Sequence, residues 1–243
     1  MPIGIIVNCL SVALGGIIGA ACGQKLPDKI KTELTQIFGL CAMGMGISSV
    51  GLMKNMPAVV FAVVLGTAFG LWANLGKWIS KGASWMQKPI GKLIPNQNSS
   101  LSGDAYVSTL VSVIVLFCAS GTGIYGSLDS GISGDHTVLI SKSILDFFTA
   151  LIFACSLGAV VSFVAVPQLL IFLAIFGLSK IIYPLTTLDM IADFKACGGF
   201  LLIATGFRIA GIKAFPTADM IPAMVLVMPV SWLWTTCIMP LLS

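Results

Sequence analysis

The sequence predicts an all-α membrane protein, and its composition, its apolar runs and its scarcity of charge carry that prediction. Of 243 residues, 57% are hydrophobic and only 9% are charged, and the mean hydropathy is +1.03. Because an average soluble domain has about 25% charged residues, a water-soluble enzyme is excluded. Disorder is excluded too, since it requires low hydrophobicity. The remaining class is a single polytopic membrane domain over residues 1–243.

Eight apolar stretches predict the membrane-spanning helices. Continuous apolar runs of this length form helices rather than barrel strands, because backbone polar groups in lipid must pair internally. The predicted spans are residues 3–22, 34–53, 58–78, 106–126, 139–163, 167–183, 194–212 and 221–242.

Spans one to three (residues 1–78) resemble spans six to eight (residues 167–243). The aligned pairs are Gly39/Gly199, Gly46/Gly206, Gly51/Gly211, Glu33/Asp193 and Asn8/Gln168, followed after an insertion by Met56-Pro57-Ala58 and Ile221-Pro222-Ala223. Two central spans, residues 106–163, intervene, so the two repeats would have opposite orientations. Inverted repeats are typical of secondary transporters. Chance similarity between two glycine-rich segments is the alternative.

The basic residues predict the orientation. In the eight-span arrangement, nine of the thirteen lysines and arginines lie on one side. The positive-inside rule then places both termini outside the cytoplasm. Because these charges are accounted for as cytoplasmic loop residues, we expect no nucleic-acid partner.

Residues 79–105 predict an interfacial segment followed by a linker. On a helix, Lys77, Lys81, Lys88 and Lys92 fall within a sector of roughly 60°, with Trp78 and Trp85 beside it. This pattern is typical of a helix in the headgroup plane that binds anionic lipids, with a break expected at Pro89. An ordinary linker with snorkelling lysines is the alternative.

The densest polar stretch, residues 120–136, contains five glycines and several small hydroxyl residues. Such a composition favours a broken helix, and irregular backbone at membrane depth can bind a ligand. The candidate substrate-binding residues here are Ser120, Gly121, Thr122, Gly123, Gly126 and Ser127. Asp129, Asp135 and His136 would line an outer vestibule. A solvated turn outside the membrane is the alternative.

Lys142 and Asp146 lie four residues apart in the fifth span, so they share one helix face. An intramembrane acid is costly and marks a functional site by default. We therefore expect Asp146 to be an ion-coupling acid with Lys142 as its partner. A buried ion pair that only fixes packing is the alternative. Asn8 in the first span is a further candidate for substrate binding or for interhelical hydrogen bonding.

The sequence gives no sign of a cofactor or a catalytic centre. The seven cysteines lack the spacing of a zinc site or a disulfide framework. The sequence therefore assigns no residues as metal ligands, and whether a metal binds is left open. His136 has no second histidine to pair with. Glycine-rich faces would suit a homo-oligomer.

A central signature carries a resemblance to a known family. It consists of Gly126-Ser127, Gly131, Gly134-Asp135, Leu139, Lys142-Ser143 and Leu145-Asp146. This signature resembles that of the YqgA/YdfK-like family of bacterial multi-pass inner-membrane proteins of unknown function. The resemblance extends over the whole chain and implies a location in the bacterial inner membrane.

Together these features favour a small secondary transporter or ion-coupled permease for an unidentified small solute or ion. The alternative is a non-transporting scaffold or accessory subunit whose polar segment is a partner-docking loop. An intramembrane enzyme using Asp129, Asp135 and Asp146 is a third hypothesis, and it matches no recognised protease motif. We therefore expect no enzymatic activity.

Overall fold

A computed structural model describes residues 1–22, 27–93, 103–118 and 120–242. This part of the chain is helical and contains no β-strand, which confirms the all-α prediction. The helices are α1 (Ile3–Cys22), α2 (Asp28–Val50), α3 (Met56–Trp72), α4 (Leu75–Leu93), α5 (Gly103–Cys118), α6 (Gly121–Ile132), α7 (Thr137–Leu157), α8 (Val160–Phe163), α9 (Ala165–Ile182), α10 (Leu188–Ile209), α11 (Ile221–Leu233) and α12 (Met239–Leu242).

Six helical stretches of the described chain are long and apolar enough to cross a membrane, or seven if one bent pair is a single span. The predicted second span lies in α2, whose first turns carry Lys29, Lys31 and Glu33 and are therefore polar. The count of eight spans stays a prediction.

The bent pair is formed by α3 and α4, whose axes differ by 60°. The chain turns at Asn74, which has a positive φ of 51°. After the turn, α4 is amphipathic and runs without interruption to Leu93, so the expected break at Pro89 is wrong. Residues 94–102, most of the predicted linker, lie outside the described residues.

The chain forms two compact units, of which the first contains residues 1–36 and 77–179. Its central packing is that of α1 along α7. Gly15 lies against the carbonyl of Phe147, and Gly19 lies against the carbonyl of Leu151. A side chain at either glycine would collide with backbone, so these small residues allow α1 to approach α7 closely.

The second unit contains residues 37–76 and 180–243. Here α3 packs on α11 through Gly66, which lies against Ala223. The α2–α10 contact is reciprocal. Gly39 lies against the Gly206 carbonyl and Gly206 against the Gly39 carbonyl, while Gly46 and Gly199 contact each other in the same way.

The glycine-rich segment differs from the sequence-based expectation. The glycine content predicts irregular backbone from Gly121 to Gly126. This prediction is wrong, because these residues form the first turns of α6. The break falls just before them, at Ser120, whose extended backbone (φ −70°, ψ 135°) caps α6. Tertiary packing outweighs the low helix propensity of glycine here, since Gly126 lies against the buried Leu139.

The glycine contacts of α2 generate the first prediction. A Cβ at position 46 would lie 2.6 Å from the Gly199 carbonyl oxygen, whereas position 44 has open space around it. We expect Gly46→Ala to destabilise the protein by about 1–3 kcal/mol through overpacking. Gly44→Ala should be neutral or stabilising by up to about 1 kcal/mol, because alanine is the better helix former.

The measurement is thermal unfolding of the purified protein in detergent. The two alanine variants are matched, because they lie on one helix half a turn apart. Equal unfolding temperatures for both would contradict the close α2–α10 approach.

Candidate functional site

The ion pair between Lys142 and Asp146 forms the centre of the candidate site. Both residues lie on α7 and are buried, with 5% and 6% of their surfaces exposed. The Lys142 Nζ lies 2.7 Å from Asp146 Oδ1 and 2.6 Å from Oδ2. The pairing predicted from their spacing is therefore present.

Asn8 joins this pair from α1. Its side chain is fully buried, and its Nδ2 donates to Asp146 Oδ2 over 2.9 Å. The close approach of α1 to α7 at Gly15 and Gly19 brings this amide within hydrogen-bond distance of the carboxylate. Asn8 thus adds a second donor to a carboxylate that lies away from water.

Gln168 on α9 extends the cluster and was not among the residues predicted for the site. It is fully buried, and its Nε2 donates to Asn8 Oδ1 over 2.8 Å. The internal repeat contained the available signal, because it aligns Asn8 with Gln168. We call the four residues Lys142, Asp146, Asn8 and Gln168 the polar relay.

The donors and acceptors of the polar relay have one consistent orientation. A carboxylate only accepts hydrogen bonds, so Asn8 must direct its NH₂ group to Asp146 and its carbonyl oxygen to Gln168. Gln168 must then direct its NH₂ group to Asn8. Its Oε1 is left buried with no hydrogen-bond partner among the described residues.

The break between α5 and α6 lies beside the polar relay. The Lys142 Nζ is 5.9 Å from the ring centroid of Phe117, in the last turn of α5. Across the break, Ser120 Oγ accepts from the backbone N–H of Gly123 and from the hydroxyl of Thr122, each over 3.2 Å. Gly123 lies directly against the ring of Phe172 on α9.

Other predicted residues lie along α6 and the turn after it. Ser127 is fully buried, and its hydroxyl has no hydrogen-bond partner in the described structure. Asp129 is 1% exposed and accepts from the Ser133 hydroxyl. Asp135 and His136 are half-exposed in the turn before α7, where His136 Nδ1 lies 2.7 Å from Ser130 Oγ. The segment is thus a buried helix followed by a short turn.

A second buried carboxylate, Asp193 on α10, was also missing from the predicted site. Its Oδ1 accepts from the backbone N–H groups of Lys54 and Asn55, at 2.8 and 2.9 Å. Its Oδ2 accepts from Asn55 Nδ2 at 2.9 Å and from Ser231 Oγ at 2.6 Å. These contacts hold the residues just before α3 against α10. Among the described residues, no group of three or more His, Cys, Asp or Glu side chains could hold a metal ion.

An all-helical chain with several apolar spans and a buried polar relay defines a polytopic membrane protein. The chain belongs to the family described as "Protein of unknown function (DUF554)", whose model matches residues 3–232. This membership confirms the resemblance read from the central signature.

Two relatives are similar along nearly their whole length. The "Uncharacterized protein YqgA" of Escherichia coli K12 is 46% identical over 97% of this chain and 98% of its own. The "Uncharacterized membrane protein YdfK" of Bacillus subtilis 168 is 24% identical over 92% of this chain and 93% of its own. No solved structure matches.

The buried ion pair generates the second prediction. Lys142→Met would leave the Asp146 carboxylate buried without its cation, and we expect a loss of about 3–5 kcal/mol in stability. Adding Asp146→Asn should recover part of that loss, because the neutral amide still accepts from Asn8. Thermal unfolding in detergent of the single and double variants measures this difference. A double variant less stable than Lys142→Met would contradict the account.

Proposed function

We propose that the protein is a small secondary transporter or ion-coupled permease of the bacterial inner membrane. Its ligand binds at the α5–α6 break, beside Lys142 and Asp146. The observation that carries the proposal is the polar relay itself, four buried polar side chains from three helices next to a helix break.

The energetics of the polar relay support a functional role. Charged and amide side chains within membrane spans are costly, and they typically mark ion or substrate pathways. Discontinuous helices beside such groups are the usual substrate and ion sites of secondary transporters, because a break leaves backbone N–H and C=O groups available. Asp146 is the coupling acid in this proposal, and Lys142 is its partner.

The reciprocal contacts between aligned positions support an inverted repeat. The repeat aligns Gly39 with Gly199 and Gly46 with Gly206, and the observed contacts are Gly39–Gly206 and Gly46–Gly199. Two copies related by a two-fold axis contact each other in this exchanged manner. Asn8 and Gln168, also aligned by the repeat, hydrogen-bond to each other within the first unit.

The amphipathic α4 is the proposed binding surface for anionic lipids. Lys77 and Lys81 precede and follow Trp78, which is 65% exposed, and Trp85 is 77% exposed. The Lys81 Nζ lies 5.5 Å from the Trp78 ring centroid. The side chains of Lys88 and Lys92 lie outside the described residues. The bias of basic residues towards this side supports the proposal that both termini are extracytoplasmic.

Sided accessibility of Cys118 tests the transport proposal. Cys118 ends α5 and is 1% exposed, so a labelling reagent reaches it only when the break opens. With Cys118 as the sole cysteine, we expect an impermeant maleimide to label it from either side, in right-side-out and in inverted membrane vesicles. This result is required of alternating access, in which a site opens to each face in turn.

The matched control is a variant that retains only Cys197, a fully buried residue of α10. Cys197 should stay unlabelled from both sides, because it is part of a packed helix interface. If Cys118 in the folded protein were likewise unlabelled from both sides, the centre would be dry, and the scaffold hypothesis would replace the transporter.

The proposed coupling role of Asp146 gives a further prediction. An imposed pH gradient should change the ratio of Cys118 labelling from the two sides beyond the pH dependence of the maleimide reaction itself, because the Lys142–Asp146 pair is the proposed coupling site. Asp146→Asn should abolish this response. The control is Asp189→Asn, at an exposed acid in the first turn of α10, which should retain it. An unchanged response in Asp146→Asn would exclude Asp146 as the coupling acid.

A further inference from the structure

We infer that Leu139 is the gate between the polar relay and the membrane face at the α6–α7 turn. Its side chain separates Lys142 and Asp146 from that face, and its movement gives water and solutes access to the ion pair. This inference rests on the proposed transport function and concerns the regulation of access to the same site.

The turn between α6 and α7 is the exposed end of this pair of helices. Ser133, Gly134 and Thr137 are exposed there, and His136 is half-exposed. One candidate membrane span ends where α6 ends, and the next begins where α7 begins, so the turn lies at one face of the membrane. Asp146 lies nine residues after Thr137, which is about 14 Å further along a helix. The ion pair is therefore near the middle of a hydrocarbon core of roughly 30 Å.

One face of α7 leads from this turn to the ion pair. Its residues, in order, are His136, Leu139, Ser143 and Asp146. They are spaced by three, four and three residues, so they lie along a single side of the helix. His136 is half-exposed, whereas Leu139 is fully buried, and the two residues beyond it are also buried. Exposure along this face therefore ends at Leu139, which is the one apolar side chain of the four.

Leu139 contacts two neighbouring helices at positions where each of them has a glycine. A Cβ at Gly4 of α1 would lie 2.9 Å from Leu139 Cβ, and a Cβ at Gly126 of α6 would lie 2.9 Å from Leu139 Cδ2. The same Cβ at Gly4 would lie 3.2 Å from His136 Cβ, so the half-exposed histidine and the buried leucine contact the same glycine. Because neither glycine has a side chain, rotation of Leu139 leaves a gap between the three helices.

The other side of the ion pair is closed by backbone instead of a side chain. Beyond Asp146, Gly15 and Gly19 of α1 lie against the backbone carbonyls of Phe147 and Leu151. Helices in such close contact have no side chain between them that could rotate away, so a path along this contact requires α1 and α7 to separate. Side-chain rotation and collective helix movement are separate motions on different timescales. The two sides of the ion pair can therefore open independently, as alternating access requires.

The contacts also indicate which face Leu139 controls. They run from Gly4 against Leu139 to Gly19 against the Leu151 carbonyl, so α1 and α7 are parallel and Ile3 lies at the same face as the turn. In the proposed orientation this face is extracytoplasmic, and Leu139 is the extracytoplasmic gate.

A sole cysteine at position 143 tests the gate in the full-length protein. Ser143 is one turn beyond Leu139, to whose carbonyl its hydroxyl donates over 2.6 Å, and it is not part of the polar relay. In oriented membrane vesicles, Leu139→Ala should make an impermeant maleimide label Ser143→Cys roughly tenfold faster. The acceleration should be confined to the face of the turn, which labelling of Thr137→Cys identifies. No acceleration would overturn the inference.

Leu157→Ala is the matched control, because Leu157 is a buried leucine at the other end of the same helix. It should leave labelling from the face of the turn unchanged, and equal acceleration by both alanine variants would reject a gate at Leu139. Leu139→Met, which nearly conserves side-chain volume, should retain slow labelling. Leu139→Val, a milder truncation, should give a smaller acceleration of the same kind, so the test does not depend on the folding of Leu139→Ala.

The two proposals fail in different ways. Labelling of Cys118 from both sides, without acceleration at position 143 by Leu139→Ala, would retain the transporter and reject the gate. Acceleration by Leu139→Ala, without labelling of Cys118 from either side when Leu139 is present, would retain Leu139 as the seal and reject transport.

Discussion

The ion pair of Lys142 and Asp146 is the interaction on which the rest of the site depends. Both charges lie in the apolar interior of the first compact unit, where an unpaired charge is costly. Their pairing keeps the Asp146 carboxylate an acceptor, and that state fixes the direction of every hydrogen bond from Asn8 to Gln168. The ion pair thus determines that Oε1 of Gln168, and not its NH₂ group, is left without a partner among the described residues.

Close helix packing is the second requirement. Asn8 reaches Asp146 because Gly15 and Gly19 let α1 approach the backbone of α7. Through Asn8, a change at Asp146 on α7 also affects α1 and Gln168 on α9. If Asp146 is protonated, Lys142 loses its counter-ion, and the hydrogen bonds of Asn8 and Gln168 can reverse. In the proposed function, protonation of Asp146 in this way changes the hydrogen bonds of the whole polar relay.

The sequence predicted those features that depend on local spacing. The four-residue interval between Lys142 and Asp146 was sufficient to predict their pairing, and the apolar runs were sufficient to predict an all-helical membrane protein. The helical state of Gly121–Gly126 depends on long-range contacts with Phe172 and Leu139, which glycine propensity does not contain. Gln168 is an isolated polar residue in an apolar run, and the one sequence signal for it was its alignment with Asn8 in the internal repeat.

The most direct test of the account is the protonation state of Asp146 at neutral pH. Infrared difference spectroscopy between the wild type and Asp146→Asn, with and without isotopic labelling of aspartate carboxyl carbons, isolates this one side chain. We expect carboxylate stretching bands, because the ion pair with Lys142 orients Asn8 and Gln168. A protonated carboxyl band instead would contradict it, since the direction of the polar relay and the assignment of Gln168 Oε1 as the free acceptor would both be lost.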